Sequence, residues 1–213
     1  MLLELSEILA CPVCGPPQVM VAVVHESVGH RVTRGFLGCP ACDARFPIEE
    51  GTVHLVPQGV AELPNARSAV SGSTSAEAAV LVGAVLDLAR GHGHVLLGPE
   101  LAATADAVAA LAEGWEVVSL VNSRPEEAPE SANVSRVVVP DVEHLPVLRG
   151  RLGAAALGGD PEADRIRAVA AALAPLGRLA IVAPGPGAVA AMRDAGFEVI
   201  AADDRVAVAS RRP

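Results

Sequence analysis

The chain has 213 residues and a formal net charge of −9; 51% of it is hydrophobic, yet it holds three Phe, one Trp and no Tyr. All 16 basic side chains are Arg, so chemistry that needs a lysine, such as a phosphate-loop cation or a Schiff base, is excluded. The length fits one large or two small domains, and a core built from Ala, Val and Leu suits helices packed on a buried parallel sheet.

Residues 1–57 form a first unit. Leu2, Leu3, Leu5, Ile8 and Leu9 give a short apolar helical face. It ends at Cys11-Pro12-Val13-Cys14, and a second knuckle, Cys39-Pro40-Ala41-Cys42, follows after residues 15–38. No other cysteine is present. Each C-x-x-C turn puts two thiolates on one tight loop, and two such loops complete a tetrahedral shell for zinc with no position left for a substrate. The site is therefore structural. Two vicinal disulfides would be strained, and a redox pair would not need duplication. Residues 19–24 read as a strand, residues 45–48 and 52–56 as two more that turn at Gly51, and the Val-His-Glu-Ser-Val-Gly-His part of the insert has no evident reading.

The order Leu5-x-x-Ile8-Leu9-Ala10-Cys11-Pro12-x-Cys14-Gly15, then Cys39-Pro40-x-Cys42-x-x-x-Phe46-Pro47-Ile48-x-x-Gly51 and a strand ending Leu55-Val56-Pro57, carries a resemblance. It resembles the small zinc-ribbon activator subunit that pairs with tRNA, rRNA and release-factor methyltransferases. The resemblance implies structural zinc on Cys11, Cys14, Cys39 and Cys42, and a protein partner, either a methyltransferase or a larger assembly. In that family the ribbon lies against a methyltransferase domain through a sheet edge; by analogy, this ribbon is expected to dock on its own C-terminal half.

Residues 58–75 read as a linker rich in small and turn-forming residues. A capping box at Thr74 and Glu77 then opens a helix that stops at Gly91. Strands are expected at 94–98, 116–121, 136–139, 153–157 and 178–183, with helices over 100–113, from an Asp160 cap onward, and over 187–195. The chain closes with two short strands around Asp203-Asp204. Alternating strands and helices mean a parallel sheet covered on both faces. A last strand that returns antiparallel matches the seven-stranded layout of class I S-adenosylmethionine methyltransferases. Asp141-Val142-Glu143-His144-Leu145-Pro146, Ala174 to Leu179 and Ala195-Gly196-Phe197 resemble phrases of that class. The expected architecture is α/β: a zinc ribbon (1–57), a linker (58–75) and a Rossmann-like methyltransferase-type domain (76–213).

The cofactor signature of that class is eroded. Where a glycine-rich turn should follow the first strand of the body, this chain has Leu97-Gly98-Pro99-Glu100-Leu101, and Pro99 and Leu101 fill ligand space. Asn122 stands where an acid should bind ribose hydroxyls. Gly98, Asn122 and Asp141 are the residues that would hold S-adenosylmethionine if its site persists. Gly185-Pro186-Gly187 is a strand-to-helix turn that could face a phosphate. His92, His94 and Trp115 read as surface or packing residues. The expectation is a non-catalytic, methyltransferase-like interaction or assembly subunit; the alternative is a divergent methyltransferase acting on RNA, protein or a small molecule. Nucleic-acid binding is disfavoured by the acidic charge; its candidate face would be Arg31, Arg34 and Arg45. The opening Met1-Leu2-Leu3-Glu4-Leu5 shows no leader or membrane span, so a cytoplasmic location is expected.

Overall fold

The computed structural model describes residues 1–56, 75–123, 131–139 and 145–213. Thr74, Asp141 and residues 58–74 of the expected linker lie outside that set.

The ribbon contributes β1 (Val21–Val28), β2 (Arg31–Gly38), β3 (Arg45–Glu49) and β4 (Thr52–His54), an antiparallel meander. The stretch without an evident reading is thus the β1–β2 hairpin, which turns at Gly29, a residue with φ +59° that suits glycine. Alternation is clean here. Leu37 and Phe46 oppose each other on the buried face, while Phe36 and Pro47 oppose each other on the outer one. Leu3–Glu7 is a 3-10 segment rather than a full α-helix.

The body contains β5 (Gly93–Leu97), β6 (Trp115–Val121), β7 (Val134–Val138), β8 (Leu152–Gly158), β9 (Leu173–Val182), β10 (Phe197–Ala202) and β11 (Val206–Arg211). Its helices are α1 (Ser75–Leu86), α2 (Ala105–Leu111), α3 (Ala163–Ala172) and α4 (Ala188–Asp194). The expected helix over 100–113 starts as a 3-10 turn, Pro99–Thr104, before α2. β5 to β9 are mutually parallel where they pair, and β11 runs antiparallel to both β9 and β10.

Among the described residues the sheet has eleven strands, not seven. Its order is β1-β2-β3-β4-β7-β6-β5-β8-β9-β11-β10, because β4 pairs in parallel with β7 at Val53–Val137 and His54–Val138. β7 would otherwise be an edge with a row of unpaired backbone groups, and the ribbon covers it. Further backbone bonds join the halves: Ala10 N–H donates to Pro146 O at 2.9 Å and Leu148 N–H to Ile8 O at 2.8 Å.

The two faces of the sheet bury different partners. Leu5, Ile8 and Leu9 of the ribbon share one core with Val118, Leu120, Val137 and with Ile166 and Met192 of α3 and α4. α1, α2 and Trp115 cover the other face, over Val95, Leu97 and Val117. Among the described residues no helix lies between β6 and β7 or between β7 and β8, and the ribbon's N-terminal segment packs on the face beside them. Truncating Leu9, fully buried at this joint, to Ala is expected to cost about 2–5 kcal/mol in urea unfolding; a cost like that of a surface substitution would show that the joint is loose.

Met1 is buried at the same joint, where its amine donates to Val32 O at 3.2 Å and to Gly51 O. Burial, with help from nearby Arg31, lowers its pKa from 8.0 to about 5, against the pull of Glu116. The unfolded amine therefore binds more protons than the folded one between pH 5 and 8, so stability rises with pH across that window and levels off above it. Denaturant titrations of the zinc-loaded chain across this range check the slope; a flat or falling profile contradicts it.

Candidate functional site

The two knuckles are built alike. Gly15 N–H donates to Cys11 O at 2.8 Å and Asp43 N–H to Cys39 O at 3.0 Å, and both donors adopt left-handed backbone. All four Sγ atoms lie within 4.8 Å of one another, with Cys11–Cys42 at 3.7 Å and Cys14–Cys39 at 3.9 Å. Disulfide sulfurs would be about 2.05 Å apart. Sulfurs on a tetrahedral zinc, at about 2.3 Å from the ion, stand about 3.8 Å apart, so the donor set fits zinc. The thiols also disagree about their protons. A hydrogen bond to Cys42 pushes Cys14 up to about 12, and burial raises Cys11. Burial works to raise Cys39 too, but backbone N–H groups of Ala41 and Cys42 hold it down to about 7. Four thiolates this close need a cation to coexist.

The second candidate lies at the carboxyl ends of β5 and β8, where the strand order of the body reverses. Open α/β sheets hold their ligands in the crevice at this point, outside the carboxyl ends of the strands. Gly98 directly follows β5, and its N–H donates to Ala156 O at 2.8 Å. Glu100 follows it on the 3-10 turn, and Arg165 reaches across from α3. Their side chains make a bidentate ion pair, Nη1–Oε1 at 2.6 Å and Nη2–Oε2 at 3.0 Å. A Cβ on Gly98 would stand 2.6 Å from Arg165 Nη2 and 2.7 Å from Glu100 Oε2. The glycine admits the chain's own charges, and Pro99 and Leu101 are both buried beside them.

Asp160 fills a neighbouring position. It does not cap α3, whose N-cap is Glu162 without a side-chain bond. Its carboxylate instead lies against the Gly185-Pro186-Gly187 turn, where a Cβ on Gly185 would stand 2.3 Å from Asp160 Cγ. Gly185→Ala is expected to cost about 1–3 kcal/mol by overpacking, and adding Asp160→Ala should recover most of it. Thermal melts of both variants decide; no recovery in the pair would mean that the clash lies elsewhere.

Of the residues proposed for a methyl donor, Gly98 lies at the crevice under the ion pair. Asn122 follows β6, and its Oδ1 is buried without a hydrogen-bond partner among the described residues. Asp141 lies outside the described residues. His94 is not a free surface group: its Nε2 stands 3.1 Å from Glu116 Oε2. The arginines proposed for nucleic acid are dispersed. Arg31 donates to the carbonyls of Ser131, Ala132 and Val134, Arg34 pairs with Glu26, and Arg45 stacks on Phe36. The pair missed from sequence was Glu100–Arg165, although one signal was there: Arg165, Val169 and Ala172 share the buried helical period of α3.

Strand order and thiolate geometry thus define a four-cysteine zinc ribbon built onto a methyltransferase-type sheet. Residues 3–51 match the family described as "Trm112p-like protein". No curated protein matches the chain. Among solved structures, the antibiotic-resistance methyltransferase Kmr is 16% identical over 69% of this chain and 98% of its own, with a TM-score of 0.46. A 1,6-didemethyltoxoflavin-N1-methyltransferase from Burkholderia thailandensis is 16% identical over 67% and 80%, at 0.47. A predicted O-methyltransferase from Agrobacterium tumefaciens is 20% identical over 60% and 79%, at 0.43. The body is defined by its own strand order rather than by these overall likenesses. Among the described residues, no helix is long and apolar enough to cross a membrane.

Proposed function

We propose that this protein is a non-catalytic assembly module: a zinc-bearing ribbon fused to a methyltransferase-like body whose methyl-donor crevice has been closed. The observation that carries this reading is the Glu100–Arg165 pair over Gly98. A ligand entering there would have to break a bidentate, largely buried ion pair, which leaves each charge without its partner. The ribbon's β4 edge is already spent on β7 of the same chain, so partner binding falls to other surfaces. Calorimetric titration of the zinc-loaded chain with S-adenosylmethionine tests the reading. No heat is expected at millimolar ligand, and micromolar affinity would overturn it.

One observation favours the alternative of a divergent methyltransferase. The orphaned Asn122 Oδ1 would accept a bond from a ribose hydroxyl at the end of β6. The same titration separates the two.

A further inference from the structure

Two cavities flank the last turn of α3. One, ≈ 230 Å³, lies between the first zinc knuckle and α3; Pro12, Pro16, Leu145, Pro146 and Ala168 give it an apolar lining, with Arg149 on its wall. The other, ≈ 410 Å³, lies between the C-terminal ends of α3 and α4 and is lined by Arg167, Arg211 and Arg212. Ala171 belongs to both. Three arginines, from α3 and the end of β11, thus line one cavity, and a fourth, Arg149, lines the other. Among the described residues lining the two cavities, Asp194 is the one acid. In a chain of net charge −9 this is a local reversal of sign.

The bland account is that these cations cap a helix end, and it covers part of them. Arg211 donates to Leu173 O, and Arg167 pairs with Asp164. Two further end carbonyls have backbone donors, however: Gly150 N–H on Ala171 O at 3.1 Å and Arg151 N–H on Ala172 O at 2.8 Å. Arg149 and Arg212 are exposed and have no ion-pair partner among the described residues, so their charges face solvent. Single-stranded nucleic acid would want aromatic stacking platforms here; the one aromatic in the lining, Phe197, is buried. An apolar socket beside a cationic one suits a peptide better.

We propose that this cleft binds an acidic peptide segment of a partner protein. One apolar side chain sits against the first zinc knuckle beside Arg149, and the carboxylates face Arg149 and Arg212, the two arginines of these walls with no ion-pair partner among the described residues. The sockets lie on two sides of a helix about 10 Å across, so an extended segment at about 3.3 Å per residue would place the acid facing Arg212 about three residues from the apolar anchor. The proposal rests on the assembly-module reading for the nature of its partner, but not on the state of the crevice at Gly98.

The test is fluorescence anisotropy on the zinc-loaded full chain. The probe is a fluorescein-labelled peptide with one leucine–proline pair followed by a run of glutamates. Saturable binding is expected, weakened about tenfold or more in an Arg149→Glu/Arg212→Glu double variant and by added salt. Both positions are exposed and outside the zinc shell, so zinc content and melting should not change. Absence of binding, equal binding of the glutamine version, or an unchanged double variant overturns the proposal. Displacement of the probe by an oligouridylate at comparable or lower concentration overturns it in favour of nucleic acid. A chain that bound S-adenosylmethionine would sink the assembly reading while leaving this anisotropy result to stand by itself.

Discussion

Stripping the metal from the four-thiolate site is expected to unfold more than the ribbon. Ligation in small zinc domains contributes on the order of 10 kcal/mol, comparable with the whole stability of an ordinary domain. The meander of β1 to β4 has little core of its own, and Leu5, Ile8 and Leu9 are buried against Val118 and Leu120 of the body. Loss of the knuckles therefore withdraws apolar cover from one face of the sheet and exposes the β7 edge. A chelator-treated chain, or a Cys39→Ser variant, should lose its cooperative melt or shift it far down and should aggregate. A metal-free chain that melts like the loaded one would show that the sulfurs hold no ion that matters to the fold.

Breaking the ion pair over Gly98 has the second large effect. Arg165 keeps 8% of its side-chain exposure and Glu100 19%, so removing one partner strands a mostly buried charge. Arg165→Met or Glu100→Leu should each cost about 3–5 kcal/mol, whereas Glu100→Leu/Arg165→Met together should be close to neutral. Arg165→Lys should not rescue, because an ammonium cannot reproduce the two parallel bonds of the guanidinium. Denaturant titrations on the four proteins of a double-mutant cycle measure the coupling. Zero coupling would reduce the pair to a surface feature and remove the principal support for a closed crevice.

How much of this was legible without coordinates differs from element to element. The cysteine spacing was enough for the metal shell, because a C-x-x-C turn is local and two of them leave little freedom. Likewise the alternation of strands and helices after residue 75 identified the parallel body, since periods of 2.0 and 3.6 are set by backbone geometry. The departure of Gly98-Pro99 from a glycine-rich turn could be read directly. Asp160 misled: an Asp before Pro and Glu looks like a helix cap, but its side chain has the Gly185 turn to pack on.

The rest depended on distance in sequence. Glu100 and Arg165 are 65 residues apart, and nothing local in either stretch names the other. The sharing of one sheet by ribbon and body was hidden for a related reason. A strand pattern states which residues face inward, yet not which neighbour will take the open hydrogen bonds of its edge, and β4 took those of β7. The arginines of the α3 cleft come from three separate segments in the same way. By itself, then, the sequence determined the metal chemistry and the class of sheet, both set by short-range spacing. Only the tertiary structure decided which edge is covered, which charges meet over Gly98 and where positive charge gathers, because those follow from packing between segments far apart in the chain.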